Sequence, residues 1–132
     1  MPRCVVRLAG WTLLCLSILH VPVHAQDLVQ RSFPAQSLRG ELQVVQPPDV
    51  LINGNPARLS PGARIHGFQN MLVMSGALVG SKITVNYSVD ALAQLSEVWL
   101  LRPDEAQRPW PTTPAEAAAL VFDPVAQVWL KP

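Results

Sequence analysis

The chain has 132 residues, ten Lys/Arg against nine Asp/Glu, three histidines, two cysteines and thirteen prolines. A net charge of +1 gives no electrostatic footprint for nucleic acid or an anionic surface. The length suits one small domain and excludes a multi-domain enzyme.

The opening "MPRCVVRLAGWTLLCLSILHVPVHA" has a basic start, Arg3 and Arg7, then an apolar run from Leu8 to about Leu19. Pro22 and the small residue Ala25 follow, the pattern of a cleaved export signal over residues 1–25. Cleavage is expected between Ala25 and Gln26, leaving roughly 107 residues in the periplasm or outside the cell. Both cysteines, Cys4 and Cys15, leave with that segment, as do His20 and His24. The remainder then has no disulfide, no thiol nucleophile, no thiolate ligand and a single imidazole, His66. It holds no second apolar span of membrane length, so no membrane span is expected after signal removal.

Residues 26–37 show no period and read as a flexible leader. Residues 38–102 read as a β domain. A first strand covers about Glu41 to Gln46 and stops at Pro47-Pro48. "DVLINGNPARL" is a hairpin about the type I′ pair Asn53-Gly54. That register sets Ile52 against Asn55, Leu51 against Pro56, Val50 against Ala57 and Asp49 against Arg58. One face carries Val50, Ile52, Ala57 and Leu59, the other Asp49, Leu51, Pro56 and Arg58. "SPGA" has Pro61 and Gly62 where a type II turn wants them, so a change of direction is expected. Ile65 then points inward, with Arg64 and His66 together on the opposite face.

Met71 to Met74 is a continuous apolar run, expected as a strand covered on both faces, with Gly76 and Gly80 marking a bulge or turn. "ITVNYSV" alternates strictly, with Ile83, Val85, Tyr87 and Val89 on one face. A turn near Asp90–Ala93 leads to a strand over Glu97–Leu101, stopped by Pro103. Five to six short strands without room for crossover helices predict an all-β fold: a small antiparallel barrel or sandwich, OB-like or SH3-like. Residues 103–132 read as a Pro-rich linker, a short C-terminal helix and a final strand. Asp104 and Glu105 fit the acidic first turn of a short helix. Thr113, Pro114 and Glu116 make a helix start with a capping box. "DPVAQVWL" echoes "DALAQLSEVWL" and places Trp129 on the closing strand.

Catalytic constellations are sparse. A Ser-His-Asp triad has only His66 to draw on, and Ser75 lacks the glycine of a nucleophile elbow. No metal-ligand spacing surrounds His66, no glycine-rich phosphate loop follows a strand, and no cofactor is expected. The candidate ligand-binding residues are Arg64, His66 and Trp99, against the plainer reading of a solvated strand face and a core tryptophan. Trp110, between Pro109 and Pro111, either docks on its own domain or is offered to a partner.

"RGELQV", "LINGNPARLSPGARI", "NMLVMSGALVG", "VNY" and "VWLLRPDEA" together resemble a group of small exported β-proteobacterial proteins without assigned function. The resemblance spans about Phe33 to Ala106. It implies export and a compact β domain, and supplies no catalytic residues. The expectation is a non-catalytic envelope protein that binds or supports an unknown envelope protein or glycan. The alternatives are a small periplasmic hydrolase with His66 as base, or an export-linked chaperone or inhibitor acting through the Trp110 segment.

Overall fold

Alternating apolar residues bounded by turn formers give seven strands in the computed structural model, which describes residues 29–132. The expected cleavage at Ala25 and Gln26 lies outside the described residues, as do both cysteines, His20 and His24. Residues 31–132 form one unit. Its strands are β1 (Leu38–Gln46), β2 (Asp49–Ile52), β3 (Asn55–His66), β4 (Lys82–Val89), β5 (Leu95–Leu100), β6 (Val121–Asp123) and β7 (Val128–Leu130). Two short helices, α1 (Pro103–Ala106) and α2 (Pro114–Ala118), and a 3₁₀ turn at Ser75–Leu78 complete it. The fold is mostly β, a five-stranded sheet and a separate two-stranded one.

The β2–β3 hairpin has the expected register, Asp49↔Arg58 through Ile52↔Asn55. Asn53 and Gly54 both adopt positive φ, 52° and 79°, as a type I′ turn demands. Val50, Ile52 and Leu59 are buried while Asp49 and Arg58 face solvent. Their carboxylate and guanidinium lie 3.9 Å apart, an exposed pair that contributes at most about 1 kcal/mol.

The sheet runs β1-β2-β3-β5-β4, and β4 returns to pair with β1. Leu42, Val44, Val50, Leu59, Ile65, Val85, Leu95 and Val98 fill its interior. One ladder departs from the expected antiparallel pattern: β3 and β5 run parallel, because the chain crosses over through β4 before pairing with β3. "SPGA" is not a corner. β3 continues through it as a bulge, the ladder skipping from Leu59↔Leu95 to Arg64↔Glu97. Pro61, which has no N–H to donate, sits in that unpaired stretch.

Met71–Met74 is not a buried strand. Met71, Leu72 and Met74 are exposed, and only Val73 packs on the core. The inner space is already filled by the strands, and a single bridge, His66↔Leu72, ties the run down.

A second, aromatic cluster lies beside the first: Phe33, Trp99, Leu101 and Trp110, with Phe122 and Trp129 against them. Phe33 meets Trp99 and Trp110 edge-on at 6.0 and 5.8 Å, and Trp110 meets Trp129 at 5.8 Å. Such contacts contribute about 0.5–1.5 kcal/mol each beyond burial. This cluster corrects two expectations. Residues 31–37 are not loose, since Arg31, Phe33 and Ser37 are buried. The 103–111 stretch is not a free linker, since Glu105, Trp110 and Pro111 are buried. Arg31 Nε and Nη2 donate to the Glu105 carboxylate at 2.9 and 2.5 Å, and its guanidinium also reaches the carbonyls of Gly67 and Leu100. Thr113 caps α2 as expected, accepting from Glu116 N–H at 3.2 Å. The Glu116 carboxylate reaches one residue further back than a capping box requires, to Thr112 N–H. Trp129 lies on the final strand, paired with β6 rather than with the larger sheet.

Candidate functional site

Period-two alternation about the buried Ile65 turns Arg64 and His66 outward together at the end of β3. The parallel ladder sets Arg64 beside Glu97 and His66 beside Trp99. The structure therefore brings together all three expected ligand-binding residues, Arg64, His66 and Trp99, and adds Glu97 between them. Arg64 Nη2 lies 3.7 Å and His66 Nε2 3.4 Å from the Glu97 carboxylate. His66 Nε2 is buried yet makes no hydrogen bond, so its contact with Glu97 is one of proximity. Its ring stacks on Trp99 with centroids 5.5 Å apart and planes within 9°.

This arrangement narrows the chemistry. Glu97 compensates the local positive charge, which disfavours an anion site. Trp99 is only 7% exposed, covered by His66 and by the edge of Phe33. It is a wall of the aromatic cluster, with no free face on which a sugar ring stacks.

Beside the cluster lies a groove of about 380 Å³, whose polar lining includes Gln36, Arg64, Ser88, Ser96 and Glu97. The Ser88 and Ser96 hydroxyls lie 3.1 Å apart, within hydrogen-bond distance of each other. The β4–β5 register and the docked leader deliver these residues. Glu97 was visible two residues before Trp99 on the same face, but nothing local marked β5 as the neighbour of β3. Gln36 was hidden by the absence of period in its segment.

Trp110 is 8% exposed, and its Nε1 donates to Ser37 O at 2.8 Å. Its indole is committed to its own chain, so presentation of Trp110 to a partner is not the arrangement observed. Among the described residues no group of three or more His, Cys, Asp or Glu side chains is placed to hold a metal ion. No helix among them is long and apolar enough to cross a membrane.

The chain matches no family model, no curated protein and no solved structure.

Proposed function

We propose that this chain is an exported, non-catalytic binding module with an OB-like barrel, and that it holds a polar, uncharged envelope ligand of the glycan class in the groove at Arg64 and Glu97. The carrying observation is the composition of that groove. A guanidinium and a carboxylate 3.7 Å apart stand beside two hydroxyls and an amide, which offer donors and acceptors with little net charge. Hydroxyl-rich ligands need such a mixture, and each donor or acceptor left unpaired on binding costs affinity.

The ring order β1-β2-β3-β5-β4 with β1 at the seam supports the OB-like reading over an SH3-like barrel or a sandwich. Barrels of that type receive oligosaccharides beside the β4–β5 loop, and the groove includes Ser88, Val89 and Ser96 at the base of that loop.

Titration with soluble, uncharged N-acetylglucosamine oligosaccharides, followed by amide NMR, tests the reading. Shifts are expected at Ser88, Ser96 and Glu97 and their loss in Glu97→Ala. Shifts spread over the surface, or unchanged in Glu97→Ala, would overturn it. The 3.4 Å approach of His66 to Glu97 favours one competing reading, a hydrolase with His66 as base. Turnover lost in a folded His66→Ala variant would establish that reading instead.

A further inference from the structure

Glu97, on the wall of the groove, stands between two basic side chains. Its Oε1 lies 3.7 Å from Arg64 Nη2 and its Oε2 lies 3.4 Å from His66 Nε2. The two contacts are unequal. The Arg64 side chain is 64% exposed, so water screens its attraction, whereas the His66 side chain is 18% exposed. His66 Nε2 is buried and makes no hydrogen bond. The stack on Trp99 and the backbone bridge to Leu72 hold the ring in that place.

An imidazole is the side chain whose charge ordinarily changes between about pH 5 and 8. Once protonated, a buried ring nitrogen needs a partner, and the carboxylate oxygen facing His66 is at hand. A charge-assisted bond closes to about 2.7–2.9 Å, so Glu97 has about half an ångström to travel toward the ring. The other charged groups near His66 do not take its place. Arg31 reaches the carbonyl of the adjacent Gly67, but its charge is met by Glu105. The 67–74 segment, bridged to His66 at Leu72, carries no Asp, Glu, Lys or Arg.

The consequence falls on the groove. With His66 neutral, Arg64 and Glu97 cancel. With His66 protonated, the three side chains sum to one positive charge, and the carboxylate that compensated Arg64 is drawn toward the imidazolium. We propose that His66 is a proton switch on this groove. With the ring neutral the groove takes an uncharged hydroxylated ligand; with the ring protonated it also admits a carboxylate-bearing sugar on Arg64. The switch rests on the glycan reading of the groove and adds to it a control of ligand charge.

Calorimetric titration with trigalacturonate at about pH 8 and about pH 5.5 tests this. Wild-type affinity should rise by about tenfold at the lower pH. Glu97→Gln leaves Arg64 uncompensated throughout, so its affinity should be high at both. His66→Gln removes the titrating ring, so its affinity should be low at both. Matching circular dichroism verifies the folding of each variant. The Glu97 Cδ resonance reads the switch without any ligand: it should move between the two conditions in the wild type and stand still in His66→Gln. Equal wild-type affinity at both pH values, no trigalacturonate binding at the lower one, or a pH response that persists in His66→Gln would overturn the proposal. So would a Glu97 resonance indifferent to His66. A neutral N-acetylglucosamine oligosaccharide at the higher pH judges the glycan reading separately. Its failure to bind, beside a trigalacturonate response that needs His66, would overturn the neutral-ligand reading and uphold the switch.

Discussion

Replacing Arg31 with Met probes the contact that joins the two ends of the domain. The Arg31 and Glu105 side chains are 7 and 2% exposed, and the guanidinium bonds both carboxylate oxygens and the carbonyls of Gly67 and Leu100. Methionine keeps the stem and removes every one of those donors. Glu105 then retains Arg102, through its backbone N–H at 2.8 Å and Nη2 at 2.9 Å, while two carbonyls lose a partner. Breaking a buried pair from one side costs about 3–5 kcal/mol, a large share of the roughly 5–15 kcal/mol that holds a domain folded. For a domain near 100 residues the melting temperature should fall by about 15–25 °C. Urea denaturation followed by tryptophan fluorescence measures the loss directly. A cost below about 1 kcal/mol would refute the reasoning, because it is what a solvated surface pair gives, and residues 31–37 would then be the loose leader their composition suggests.

The same contact sets an acid response. Burial pushes the Glu105 carboxyl up, but hydrogen bonds from Arg31 and from Arg102 N–H, with the charge of both guanidiniums, outweigh it and hold the group below its ordinary 4.5. A depressed carboxylate contributes stability that is complete above the unfolded value and lost as pH falls through the folded one. Stability should therefore decline as pH drops below about 4.5, and Glu105→Gln should remove that part of the slope in urea midpoints against pH. Gly67→Ala should cost about 1–3 kcal/mol, because Val73 Cγ2 at 2.8 Å must yield, and should speed hydrogen exchange of the Val73 amide. Trp110→Phe should cost at least about 1–2 kcal/mol, since Ser37 O loses its indole donor. Limited proteolysis between Arg102 and Thr113 should be slow in the native chain and faster in that variant.

What was legible in the sequence was local. The Asn53-Gly54 turn fixes its hairpin because both residues tolerate positive φ and a one-residue slip would expose Val50 and Ile52. The alternation in Lys82–Val89 likewise identifies β4 without outside help. Segments held by distant partners carry no local sign of them. Arg31 and Glu105 are 74 positions apart, and nothing near either announces the other. Trp110 looked like part of a linker because prolines surround it, although its ring packs against Phe33, Phe122 and Trp129. The exposed run Met71–Met74 failed for the opposite reason: hydrophobicity alone does not show whether the core has room. At the candidate site, Arg64 and His66 were visible as a strand-face pair. Their neighbour Glu97 arrives through a parallel ladder that local pattern does not encode.

The most direct test of the binding account is photocrosslinking in the native envelope from Gln36, at the exposed rim of the groove, against Val125 as a remote control. The account predicts a glycan-bearing adduct from Gln36 that is absent from Val125 and lost when Glu97 is Ala. Equal labelling from both positions, or a Gln36 adduct indifferent to Glu97, would contradict it.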